Sequence, residues 1–114
     1  MYGYNAYQKV THVTQTPRTA EHRLLGNVTA ALMAADRTPD DKKKLIDALL
    51  WNKKVWDNFV IEVRDNDNQL PDQLRDSLIG IGIWVTQETY RVMDSVSDVK
   101  SLIEVNTIIM EGLR

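Results

Sequence analysis

Apolar residues recur along this chain at steps of three and four, the period of an α-helix, and most regularly over Leu45 to Val63, LIDALLWNKKVWDNFVIEV. Leu45, Leu49, Asn52, Trp56, Phe59 and Val63 fall on one stripe of that helix. Ala48 and Val55 flank the stripe on one side and Ile46 and Val60 on the other, an arc wide enough to need more than one neighbour. Two residues break the pattern. Asn52 is polar within the stripe, and Trp51 points well away from it.

Three further helices follow from the same spacing. Thr16-Pro17 supplies a cap and a first-turn proline for a helix running to about Ala35. Ala20, Leu24, Ala31 and Ala35 form its inner stripe with Val28 beside them, and Leu25 and Leu32 open a second apolar edge. Thr38, Pro39, Asp40 and Asp41 repeat that start and lead into the long helix, with acidic residues where the helix dipole favours them. RDNDNQ, from Arg64, ends it, because Asp and Asn side chains compete for backbone hydrogen bonds. Leu70-Pro71 restarts a helix to about Met93 with the seam Leu74, Leu78, Ile81, Val85 and Val92. Gly80 and Gly82 inside it predict a close helix contact or a bend. Ser97 and Asp98 cap a last helix, whose seam is Val99, Ile103, Asn106, Met110 and Leu113 and whose end is Gly112.

No stretch alternates apolar and polar residues between hairpin turns, so strands are not expected. The fold class is all-α, an antiparallel bundle of about four helices forming one domain over residues 1–114. Residues 1–15 form an N-terminal arm in which Tyr4, Tyr7 and Val10 share a weak helical spacing. We expect it to be partly ordered, by packing on something else.

Composition narrows the function. The 114 residues are 43% hydrophobic and 26% charged with a net charge of −2, which fits a soluble globular protein with a real core. No global positive field exists to hold RNA, DNA or an acidic membrane. There are no cysteines, so disulfides and thiolate chemistry are excluded, and a reducing compartment fits. No signal-peptide pattern or membrane-length apolar run is present, and we expect a cytoplasmic protein.

Candidate chemistry is sparse. His12 and His22 lack the spacing of paired metal ligands. Asp65, Asn66, Asp67 and Asn68 resemble the start of a calcium loop, but Leu70 stands where such a loop needs glycine, so a polar interhelix loop fits better. Lys42, Lys43 and Lys44 are too short a run to hold RNA and fit a solvated helix face. No phosphate loop, nucleophile elbow or isolated carboxylate pair is present, so no enzyme activity, cofactor or metal is expected. Asn52 and Asn106 lie on apolar stripes, where a buried amide needs partners, and we expect hydrogen bonds that fix helix register. Trp51, Ile79, Ile83 and Tyr90, together with Trp84, do not fit one four-helix core. They are candidates either for contact with a protein partner or for cover by another part of the chain.

The ordered blocks carry a resemblance as well. Ala6-Tyr7, Thr16-Pro17-Arg18 with Glu21 and Leu24-Leu25, and Ala48-Leu49 with Asn52-Lys53-Lys54-Val55-Trp56 come first. Leu70-Pro71 with Leu74-Arg75, and Asn106, Ile109, Gly112 and Leu113, follow in the same order. Together they resemble the FlaF family of flagellar biosynthesis regulators over nearly the whole chain. The resemblance implies a non-enzymatic role in alphaproteobacterial flagellum assembly: binding flagellin as a chaperone before export and promoting its synthesis, in opposition to the regulator FlbT. Alternatives are a regulator acting directly on flagellin messenger RNA, against which the acidic balance weighs, and a homodimeric helical scaffold.

Overall fold

The computed structural model describes residues 17–65 and 70–112, with side chains from His22 onward. These residues form four helices: α1 (Pro17–Asp36), α2 (Lys42–Arg64), α3 (Asp72–Met93) and α4 (Lys100–Gly112). The all-α class is therefore as the spacing predicts, and no strand occurs among the described residues. The N-terminal arm, with its tyrosines, and His12 lie outside them, as do Asn66 to Asn68 and Leu113.

α2 is the centre of the packing and lies against both α1 and α3. Leu49, Asn52, Trp56, Phe59 and Val63 of its stripe are buried, and Ala48 and Val55 are buried beside them. Leu45 is half-buried, and Trp51 points out. Trp56 fills the middle of the core with the ring of Phe59 edge-on to its own at 5.5 Å. Burial of side chains this large stabilises by about 1.5 to 3 kcal/mol each, so this one stripe anchors the bundle.

The helices alternate in direction. Asp36 at the end of α1 pairs with Lys100 at the start of α4 (3.2 Å), and Gly26 in the first half of α1 lies beside Met110 near the end of α4. Val60 of α2 meets Gly82 of α3, while Leu45 and Val92, nearer the opposite ends of those helices, line one depression. The bundle is not evenly closed. α4, only 13 residues long, leans on α1 and meets α3 mainly near Glu88.

Three details differ from the spacing-based expectation. On α1 the buried arc is Leu25, Val28, Leu32 and Ala35 with Thr29, whereas Leu24 is 44% exposed. The larger side chains of Leu25 and Leu32 remove more apolar area from water than alanines do, so they turn inward where α1 must face both α2 and α4. On α3, Leu74 is exposed and Ile81 only half-buried, and α4 touches this helix little. Gly82, Glu88 and Thr89 are buried there. On α4 the buried residues are Leu102 and Asn106, with Val99 buried just before the helix, while Ile103 and Met110 are half-buried.

Caps also move. Asp41, not Thr38, caps α2, its carboxylate accepting from the Lys44 N–H at 3.0 Å. The Thr38 hydroxyl instead donates to the Ala34 carbonyl at the end of α1 (3.1 Å). Asp98 accepts from the Lys100 N–H (2.9 Å) and caps α4, while the Ser97 hydroxyl donates to Glu88. At the end of α3, Val96 N–H donates to Arg91 O (2.8 Å) and Ser95 N–H to Val92 O (3.0 Å). Ser95 takes the left-handed φ of 61° that a glycine usually supplies in this motif.

Of the two interior glycines, only Gly82 makes a close contact. A Cβ there would run into the Val60 side chain of α2, whereas one at Gly80 would meet open space.

Candidate functional site

The candidate surface is built on α2, whose two long sides face different neighbours. Val55, Phe59 and Ala48 turn toward α1, and Val60 and Lys53 turn toward α3. The indole of Trp51 emerges on the α1 side, 41% exposed. It lies between two depressions that run along the α1–α2 seam and share it as a wall. One, of about 390 Å³, is floored by Ala31, Ala34 and Ala48 and edged by Asp41, Lys43, Lys44 and Asp47. The other, of about 270 Å³, holds Leu24, Leu25, Val55 and Phe59, with Lys54, Asn58 and Glu62 at its rim. Small alanines on the facing turns of α1 and α2 open the first. In the second, Leu24 is turned to the surface because Leu25 takes the core position.

The charges of this seam are partly settled within the chain. The Lys43 ammonium bonds Asp47 at 2.8 Å, a solvated pair that raises the lysine's pKa. Asp41 caps α2, and Glu62 has a partner of its own. No carboxylate among the described residues pairs with the side chain of Lys44 or Lys54.

The other candidates lie elsewhere. Ile83, 58% exposed, and Tyr90, 50% exposed, share the outer face of α3, and Ile79 on the same face is half-buried and packs against the core. The Lys53 pKa is raised, first by its hydrogen bond to Asp57 (2.8 Å), against burial, with the phenol of Tyr90 adding a smaller push. α3 packs on the Val60 side of α2, where Val60 meets Gly82, whereas the neighbours of Trp51 in its depressions belong to α1 and α2. The four candidates therefore form two surfaces rather than one. Ile46, Leu50 and Ile61 of α2 are also exposed, at helix angles between these surfaces. Trp84 is half-buried against the core and leaves the candidate set.

Beneath the surface, four polar side chains meet in the core. Trp56 Nε1 donates to Asn106 Oδ1 (2.8 Å), and Asn106 Nδ2 donates to Asn52 Oδ1 (2.8 Å) and Thr29 Oγ1 (3.0 Å). Asn52, Asn106, Trp56 and Thr29 are all within 4% of full burial. The asparagines expected to fix register thus bond each other and join α1, α2 and α4. This cluster is walled off from both surfaces and is structural.

A family model described as "Flagellar protein FlaF" matches residues 4–113. The chain belongs to the FlaF family. No curated protein and no solved structure matches it. As a FlaF-family chain it is a flagellar protein. The blocks that suggested the family include residues of the core cluster, Asn52, Trp56 and Asn106, alongside the helix starts at Pro17 and Pro71. Leu24 is the member of the α1–α2 surface that spacing alone misses. Its neighbour Leu25 competes for the same inward position, and only packing decides between them. No helix among the described residues is long and apolar enough to cross a membrane.

Proposed function

We propose that this protein is a non-enzymatic, cytoplasmic flagellar assembly factor that binds flagellin before export, shields the surface by which flagellin polymerises, and promotes flagellin synthesis, in opposition to FlbT. The observation that carries this reading is the half-exposed indole of Trp51 set between two apolar depressions on a chain of the FlaF family. Water-exposed apolar concavities of this kind gain free energy when a partner's apolar residues fill them, and an amphipathic helix is the usual form of such a partner. Isolated exposed side chains such as Ile108 do not carry the same weight.

The experiment is gel filtration of the purified protein with and without flagellin. Co-migration in one peak supports the proposal, and independent elution of the two at micromolar concentrations contradicts it.

A further inference from the structure

The α1–α2 seam and the outer face of α3 are both apolar, and the seam is concave around Trp51 and carries two lysines that pair with no carboxylate among the described residues. The two depressions are centred about ten residues apart along α2, about 15 Å at 1.5 Å per residue, with Trp51 between them. That spacing equals about three turns of a helix laid alongside. Large apolar residues at i and i+11 of such a helix would enter the two depressions, and those at i+4 and i+7 would lie against Trp51. The alanine floor of Ala31, Ala34 and Ala48 gives the first depression room for a branched side chain.

Charge specifies the flank. Asp41 and Asp47 are engaged by the α2 N-terminus and by Lys43, and Glu62 has its own partner, whereas Lys44 at one depression and Lys54 at the other have no carboxylate among the described residues. Cations at both ends of an apolar groove favour carboxylates at matching positions on the occupant.

We infer that the α1–α2 groove around Trp51 is a docking site for one amphipathic helix of a partner protein, with apolar residues at i, i+4, i+7 and i+11 and acidic residues flanking that stripe. This rests on the proposal of a flagellin-binding role and names the kind of flagellin segment that would be held. Ile83 and Tyr90 lie outside this groove.

The test uses the full chain and two kinds of probe. The first is a synthetic helical peptide of about 15 residues with leucines at the four positions and glutamates beside them, and its counterpart with lysines for the glutamates. The second is purified flagellin. Binding is read by calorimetry in the parent, in Trp51→Ala, in the double variant Lys44→Glu with Lys54→Glu, and in Ile83→Asp, with thermal melts to show that each is folded.

We expect the acidic peptide to bind the parent more tightly than the basic one. The lysine variant should weaken acidic-peptide and flagellin binding about tenfold at low salt, with the loss shrinking as salt is raised, and Ile83→Asp should bind as the parent does. Flagellin that binds the parent but is indifferent to Trp51 and the lysines would overturn the groove while leaving the flagellin-binding role standing. Flagellin that fails to bind the parent, while the acidic peptide binds through Trp51, would overturn the role and leave the groove. Equal binding of the two peptides overturns the acidic flank. Dimerisation of the parent that is lost in Trp51→Ala would make the occupant a second copy and also overturn the inference, as would a peptide that binds only after residues 1–15 are deleted.

Discussion

The indole N–H of Trp56 is held by Asn106 at 2.8 Å, although the two residues are 50 positions apart in the chain. An indole can only donate, so the Asn106 carbonyl oxygen must face it and the amide nitrogen must face the other way, toward Asn52 and Thr29. One side chain of the shortest helix therefore sets the partners of three others. The Nδ2 of Asn52 remains buried without a partner among the described residues, so the two asparagines are not equivalent.

Asn106→Leu should accordingly be the more damaging change. It strands the Trp56 N–H and the Asn52 oxygen in the core, and each stranded group costs about 1 to 3 kcal/mol. Asn52→Leu strands only one of the two Asn106 N–H groups and removes an amide that is unpartnered already, so its cost should be smaller, about 1 kcal/mol. Urea unfolding of both variants and of the double variant checks this. The double variant should lose less than the sum of the two, because the residues share one network.

Gly80 and Gly82 make an opposed pair. Gly82→Ala pushes a methyl into Val60 and should destabilise by about 1 to 3 kcal/mol, with α2 and α3 forced apart. Gly80→Ala, exposed and unobstructed, should stabilise by up to about 1 kcal/mol through helix propensity. Thermal melts of the two variants should therefore shift in opposite directions.

Ser95→Gly should also stabilise, by about 0.5 to 1 kcal/mol, because glycine adopts the left-handed φ of 61° without a Cβ clash. Part of that gain is offset by the greater freedom of glycine in the unfolded chain. An unchanged or lower unfolding midpoint would show that this turn is not strained.

The contact of α3 with α4 gives a pH dependence. Burial pushes the Glu88 carboxyl upward, but the hydroxyls of Ser101 (2.6 Å) and Ser97 and the Arg91 guanidinium (3.3 Å) outweigh it and hold the pKa below the ordinary 4.5. A carboxylate with a depressed folded pKa contributes stability that is present above its unfolded value and is lost as pH falls through the folded one. Stability should therefore fall as pH drops below about 4.5, and Glu88→Gln should reduce that acid-side slope while lowering stability at neutral pH. Urea titrations at a series of pH values measure both effects.

How far the chain could be read in advance depended on how many neighbours each helix has. α2 is covered on two sides and its stripe of Leu49, Asn52, Trp56, Phe59 and Val63 follows directly from spacing. α1 faces two helices, so spacing alone does not choose between Leu24 and Leu25, and the exposed Leu24 beside Trp51 falls on the predicted inner stripe. Leu74 falls on the predicted seam yet is exposed, since spacing carries no information about what covers a helix. Thr29 carries no signal of its own in the sequence, threonine being common on helix surfaces, yet it sits one turn from Leu25 and Leu32 and accepts from Asn106. The left-handed turn at Ser95 gave no glycine to announce it. Spacing sets Trp51 off the α2 stripe, and it is exposed. That it and Ile83 face different sides required knowing which neighbours flank α2.

Calorimetric titration of flagellin into the parent protein and into Trp51→Ala, each paired with its melting curve, tests the central claim most directly. The indole is 41% exposed, so its loss should leave the melting temperature close to that of the parent. Its place between the two depressions makes it an interface anchor, and the loss of about 2 kcal/mol typical of such residues corresponds to binding about thirtyfold weaker. Weaker binding at an unchanged melting temperature is the predicted result. Parent-like affinity in Trp51→Ala, or no heat of binding in the parent itself, would contradict the account.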